Sequence, residues 1–165
     1  MNDRHVLYPG SFDPFHRGHL DVLQRALKLF DRVTVVVAEA GKAAFLPVSE
    51  RVELARAAAT GLPGCDVQGF GGLLVDEVRR RGAVGVVRGI RSSGDYEHEW
   101  ALANVNRLLA PDFECVYLLA RPDLAAVSST LVRDVARHGG DLEALVPSAV
   151  VDRLRRALGR ADPRE

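Results

Sequence analysis

Residues Val33 to Ala38 read Val-Thr-Val-Val-Val-Ala. A β-branched run without polar alternation fits a strand buried on both faces, and such strands belong to parallel sheets covered by helices on each side. Four more short runs have strand character: Val6 to Tyr8, Cys65 to Phe70, Val84 to Val87 and Glu114 to Leu119. Longer stretches between them carry helical periodicity. Gly18 to Phe30, for example, places Leu20, Leu23, Leu27 and Phe30 at helical spacing. Further helices are expected from a Ser49 cap to about Thr60, over Leu73 to Arg81, Asp95 to Leu109 and Ser128 to Arg137. Asp141 to Leu145 and Pro147 to Leu158 read as closing helices. Strand–helix alternation predicts an α/β fold, a doubly wound five-stranded parallel sheet with right-handed crossovers. One domain is expected over residues 1–158, with a polar tail over 159–165.

Charge narrows the partners. The chain carries 22 Lys+Arg against 22 Asp+Glu, and this neutral balance argues against a general nucleic-acid binder, which would show a basic excess. No apolar run approaches the ~18 residues of a membrane span. The first residues lack the apolar stretch of a signal peptide. The two cysteines, Cys65 and Cys115, are far apart and read as reduced thiols packed as small hydrophobes. A cytoplasmic protein with no membrane partner is the expectation. Arginine dominates the cations, and the only lysines are Lys28, in a helix pattern, and Lys42, in the loop after the second strand.

Ligands of doubly wound sheets bind beyond the carboxyl ends of the strands, near the point where strand order reverses. The segments to search are therefore Pro9 to His19, Glu39 to Pro47, Phe70 to Leu74, Arg88 to Glu99 and Ala120 to Thr130. The first is rich in Gly and Pro and leads into a helix whose free N–H groups and dipole suit phosphate. His16 and His19 stand three apart at that helix start, so both can face one ligand. A glycine-rich turn with two surface histidines is the plain alternative, and a two-histidine pair alone is weak evidence for zinc. Arg88 and Arg91, in Arg-Gly-Ile-Arg, offer planar forks to phosphate oxygens, or are two solvated loop arginines. Glu97 and Glu99 are two apart and cannot share a helix face, so they form no evident carboxylate dyad. Ser128, Ser129 and Thr130 open a helix; one hydroxyl is explained by capping, and three together favour a ligand. Asp13 is expected to orient loop backbone. Trp100 and Leu102 read as core or subunit contact.

The string Gly10-Ser11-Phe12-Asp13-Pro14 followed by His16-x-Gly18-His19 resembles the signature of the HxGH nucleotidylyltransferase superfamily. The later segments narrow this. Arg88-Gly-Ile-Arg91, Asp95-Tyr-Glu-x-Glu99, Asn104-x-Asn-Arg107, Ser128-Ser-Thr-Leu-Val-Arg133 and Gly139-Gly-Asp141 together resemble the bacterial phosphopantetheine adenylyltransferases, in one colinear order from about Val6 to Leu158. The resemblance implies a Rossmann-like nucleotidylyltransferase fold and transfer of the adenylyl group of ATP to 4′-phosphopantetheine. The products would be dephospho-coenzyme A and pyrophosphate, with Mg²⁺ as cofactor. It implies catalytic roles for His19, Lys42 and Arg91, and acceptor binding by Ser11, Lys42, Leu74 and Arg88. ATP would meet Ser11, Phe12, His19, Gly89, Ile90, Arg91, Glu99 and the run Leu124, Ala125, Ala126, Val127, Ser128, Ser129 and Thr130. No residue is assigned as a metal ligand. The resemblance also implies a homohexamer inhibited by coenzyme A.

A phosphate oxygen of the acceptor is already anionic near neutral pH, so the implied reaction needs no general base. Positioning and electrostatic stabilisation would carry it. The chain departs from the family pattern at His16, where threonine is common, and at His98, where tyrosine is usual. It departs again at Leu124-Ala125-Ala126, where an aromatic-Ser-aromatic pattern is common, and at Glu39-Ala40-Gly41, which replaces a Pro-containing lead into the lysine. Two other readings are open: transfer to another acceptor such as nicotinate mononucleotide, and a non-catalytic nucleotide or coenzyme A sensor on the same fold.

Overall fold

The computed structural model describes residues 3–39 and 44–159. Five parallel strands form one sheet: β1 (His5–Gly10), β2 (Arg32–Ala38), β3 (Cys65–Phe70), β4 (Val86–Ile90) and β5 (Cys115–Leu119). Their order across the sheet is β3-β2-β1-β4-β5, so strand order reverses between β1 and β4. The doubly wound α/β expectation is borne out. The helices are α1 (Arg17–Leu29), α2 (Val48–Ala58), α3 (Leu74–Arg81), α4 (Ser93–Leu109), α5 (Ser129–Arg137) and α6 (Ser148–Gly159).

The valine run behaves as its composition requires. Val33, Val35, Val36 and Val37 are all fully buried, and successive side chains point to opposite faces. Val33, Val35 and Val37 join Val6 and Tyr8 in a core shared with α1, α2, α5 and α6. Val36 joins Leu7 in a second core with Val75 of α3 and with Phe113, just beyond α4. Right-handed crossovers produce this division: the chain steps outward from β1 to β3 with α1 and α2 on one face, then returns to β4 and β5 with α3 and α4 on the other.

Two expected elements differ. Residues Asp141 to Leu145 form turns and not a helix. Their apolar positions anchor the turn: Leu142 is buried, its carbonyl accepts from both Leu145 and Val146, and Arg17 binds the Glu143 carbonyl at 2.7 Å. Ser49 lies inside α2, whose N-cap is Pro47 with no side-chain cap bond. The thiols of Cys65 and Cys115 are free and half-buried, and burial pushes Cys65 up to about 11. Among the described residues, no helix is long and apolar enough to cross a membrane. Residues 160–165 of the expected tail lie outside the described residues.

A buried arginine ties the loops at the carboxyl edge of the sheet. Arg51 is 1% exposed and donates to the carbonyls of Leu46 (3.0 Å), Ser11 (2.6 Å) and Ala38 (2.9 Å). Beside it the Asp13 carboxylate accepts from the backbone of Phe45 (2.7 Å) and Leu46 (3.0 Å). This is the backbone role expected of Asp13, spanning two loops where an Asx turn would stay within one. Charge-assisted bonds of this kind are roughly twice as strong as neutral ones, so the first loop is fixed from beneath before any ligand arrives.

Candidate active site

A cleft of about 320 Å³ opens at the carboxyl ends of β1 and β4, where strand order reverses. Its floor is the first loop. Gly10 has no side chain because a Cβ there would come 2.9 Å from the Phe12 ring. Phe12 in turn holds a left-handed backbone, φ 47°, so that its ring can bury against Tyr8, Phe15 and His19. Side-chain packing below compensates the strain of a non-glycine residue there.

The two histidines form one unit. His16 is the N-cap of α1, and the cap is reciprocal. The His19 backbone N–H donates to His16 Nδ1 (3.3 Å), and the His16 backbone N–H donates to His19 Nδ1 (3.2 Å). The rings stack with centroids 3.5 Å apart. A Cβ on Gly18 would come 3.0 Å from the His16 ring, which accounts for the glycine between them. Burial, then the charge of Arg91, lowers His16 to about 3. Burial, then His16, Arg91 and Arg88, holds His19 well below the ordinary imidazole value. Both rings are therefore neutral at pH 7. Because each Nδ1 is an acceptor, each proton sits on Nε2, leaving one N–H donor per ring and no second lone pair. His16 thus serves as cap in the place where the family pattern has threonine, a residue that caps equally well.

Arg88 and Arg91 both line the cleft, but their forks are already held. Arg88 Nε donates to Glu99 at 2.7 Å, its Nη2 donates to the same carboxylate, and its Nη1 donates to the Pro9 carbonyl across the β1–β4 junction. Arg91 binds Asp95 through Nε (2.9 Å), Nη2 (3.2 Å) and its backbone N–H (3.0 Å). Arg88 is a half-buried residue of β4 itself, whereas Arg91, just past the strand, stays 40% exposed with its side chain held by Asp95. Each guanidinium has five donors; its carboxylate takes two and a backbone carbonyl one, which leaves two N–H groups to an anion. The charges of Arg88, Arg91, Asp95 and Glu99 cancel, and with neutral histidines the described wall carries no net positive charge.

The third wall is the start of α5. Ser128 is its N-cap, accepting from the Leu131 N–H. Ser129 Oγ donates to the Pro14 carbonyl (3.0 Å), docking α5 on the first loop. Arg133 donates to Thr130 (3.3 Å). All three hydroxyl residues line the cleft. The starts of α1 and α5 thus both face it, and the first turn of each leaves backbone N–H groups without intrahelical acceptors.

Of the residues expected from sequence, Ser11, Phe12, His19, Arg88, Gly89, Arg91, Glu99, Leu124, Ser128, Ser129 and Thr130 come together around this cleft. Others lie off its wall. Val127 is buried in the larger core; its carbonyl accepts from Arg91 at 3.5 Å. Ile90 is buried and borders a separate surface cavity with Tyr96 and Leu119. Ala125 is half-buried and Ala126 exposed. Leu74 begins α3 and packs against the second core. Lys42 lies outside the described residues. The structure adds Tyr8, Val22, Asp95 and Ala120 to the wall. Asp95 had a readable signal: it stands four before Glu99 and so shares its helix face, while Arg88 and Arg91 stand three apart opposite.

Nearly the whole chain aligns with known proteins. A family model described as cytidylyltransferase-like matches residues 7–135. A phosphopantetheine adenylyltransferase of Anaeromyxobacter sp. is 46% identical over 159 residues, 96% of this chain and 97% of the relative. One from Aromatoleum aromaticum is 45% identical over 93% of this chain and 95% of its own. One from Proteus mirabilis is 42% identical over 94% and 97%. With such identity held over nearly the full length on both sides, the chain belongs to the phosphopantetheine adenylyltransferase family.

Proposed function

We propose that this protein transfers the adenylyl group of ATP to 4′-phosphopantetheine, releasing pyrophosphate and forming dephospho-coenzyme A. The observation that carries this reading is the junction of a neutral, Nε2-protonated histidine pair with two carboxylate-held arginines at the switch point of the sheet. The acceptor's phosphate oxygen attacks the α-phosphorus; a P–O bond forms there while the bond to the β-phosphate oxygen breaks. No proton must be removed from the nucleophile, and the described wall offers no free base.

In this reading His19 Nε2–H donates to an α-phosphate oxygen as the five-coordinate centre forms. Arg91 holds the leaving phosphates with its free edge. The α5 start, Leu124 to Thr130, with Gly89, Ile90 and Glu99, receives the nucleotide. Ser11 touches both substrates. Arg88, Leu74 and Lys42 serve the acceptor, with Lys42 also bridging the two substrates as a cation. The neutral described wall gives that extra cation a purpose, since the bound anions meet no surplus positive charge there.

Among the described residues, no group of three or more His, Cys, Asp or Glu could hold a metal ion, and Asp95 and Glu99 are engaged by arginines. The donors present therefore do not make a resident ion site. We read Mg²⁺ as arriving on the triphosphate, as part of the substrate. Coenzyme A carries both the pantetheine arm and the adenylate, so it fits as a competitor for the same cleft. The homohexamer reading draws support from α4 and the edge strand β5. Trp100 is 56% exposed, Leu108 85% and Leu119 70%, and large apolar side chains left exposed together favour an interaction face. Trp100 and Leu102 are thus subunit contacts in this reading and not core. Two free thiols and cytosolic substrates favour the cytoplasm.

Purified protein with ATP and a panel of phosphate acceptors tests the assignment. Pyrophosphate release is expected with 4′-phosphopantetheine. Release with nicotinate mononucleotide alone overturns the acceptor, and tight ATP binding without turnover of any acceptor favours the sensor.

A further inference from the structure

We infer that Asp95 is a positioning residue that sets the free edge of the Arg91 guanidinium toward the bound triphosphate. This rests on the adenylyl-transfer reading of the cleft.

Arg91 leaves β4 as a long side chain, 40% exposed, which by itself would sample many rotamers. A single carboxylate removes that freedom at both ends of the side chain. Asp95 Oδ2 accepts from the Arg91 backbone N–H and from Nε, and Oδ1 accepts from Nη2. The side chain is curled back on its own backbone, with Nη1 directed to the Val127 carbonyl at 3.5 Å. Asp95 is itself anchored. It sits in the first turn of α4, and its N–H donates to Ser92 Oγ, the cap of that helix (3.2 Å). Both members of the pair line the cleft.

Glu99, one turn further along α4, takes the Arg88 fork through Nε and Nη2 likewise, without the backbone bond. The repeated arrangement makes α4 a rack with two guanidinium rests. A phosphate then meets an arginine whose approach is already set, so little ordering is left to do when the leaving group forms. The bland reading is that an acidic residue in the first turn of α4 only favours the helix dipole. That reading predicts lower stability without any dependence on Arg91.

A double-mutant cycle separates the two. Wild-type protein, Asp95→Asn, Arg91→Ala and the double variant are assayed for pyrophosphate release with ATP and 4′-phosphopantetheine, with Tm as the fold control. Asp95→Asn, which is isosteric, is expected to lower kcat on the order of 10–100-fold with only the modest loss in Tm that a part-exposed ion pair gives. In the Arg91→Ala background the same change is expected to cost less than about 2-fold, since coupled residues are non-additive. Equal losses in both backgrounds, or no loss in the wild-type background, overturn the inference. Absence of turnover in wild-type protein sinks the adenylyl-transfer reading instead. In that case ATP affinities of the same four proteins, by calorimetry, still decide whether Asp95 acts through Arg91.

Discussion

A His19→Ala variant is expected to lose on the order of 100–1000-fold in turnover, the usual cost of deleting one donor aimed at developing charge. The loss should fall on kcat more than on KM for ATP, because the bond strengthens only as charge gathers on the α-phosphate. The fold should persist. His19 contributes to the α1 cap by accepting the His16 backbone N–H at 3.2 Å, and losing a cap acceptor costs about 1 kcal/mol. The main cap bond, into His16 Nδ1 from the backbone of residue 19, survives the change. Steady-state kinetics beside a thermal melt separate the two effects. Near-native turnover in a folded His19→Ala protein would remove His19 from the chemistry.

Mild acid is expected to destabilise the ligand-free protein steeply. His16 is lowered to about 3 and His19 well below the ordinary value, whereas both titrate near 6.5 in the unfolded chain. Below that pH the unfolded state binds more protons than the folded one, so stability is full above about pH 6.5 and falls as pH drops. His16 contributes about 1.4 kcal/mol per pH unit in that window, roughly 2 kcal/mol between pH 7 and 5, and His19 adds in the same direction. Buried His5, also lowered, adds in the same direction. Three carboxyls are held below their usual range: Asp31 by the Arg4 backbone N–H, Glu77 by Arg80 and Arg81, and Asp95 by Arg91 against the opposing effect of burial. Their share of stability is present throughout this window and is lost only at lower pH. Urea unfolding at pH 7 and pH 5 measures the slope. His16→Thr, which keeps a capping oxygen, should lower it by about one proton's worth, ~1.4 kcal/mol per pH unit. A flat stability profile across this window would mean that the two rings are not neutral and shielded as described.

Much of this fold was legible because burial on both faces leaves a strong mark. The run from Val33 to Ala38 reads as an interior strand, and the strand–helix alternation around it pointed to the carboxyl ends of the strands; which of those ends form the cleft follows only from the strand order. What was not legible depended on partners distant in sequence. Asp141 to Leu145 has helical composition, but its leucines serve a turn that docks on α1 through Arg17. Ser49 has the chemistry of a cap, but Pro47 starts the helix earlier. Arg88 and Arg91 were readable as phosphate forks. Their carboxylate partners were readable only as a spacing: Asp95 and Glu99 stand four apart on one face of a helix, but nothing local says that each meets one of the arginines. The stacked histidines were visible as a spacing of three; their shared neutrality follows only from the burial that Phe12 and Phe15 impose.

The proposed transfer is direct, with His19 as a hydrogen-bond donor and not as a nucleophile. Its Nδ1 lone pair is taken by the His16 backbone N–H, and its Nε2 carries the proton. The stereochemical course at the α-phosphorus tests this most directly. With ATP made chiral there by sulfur substitution, a single in-line displacement by the acceptor phosphate inverts the configuration in the dephospho-coenzyme A product. Inversion is the predicted result. Retention would require two displacements through an adenylylated side chain and would contradict the account.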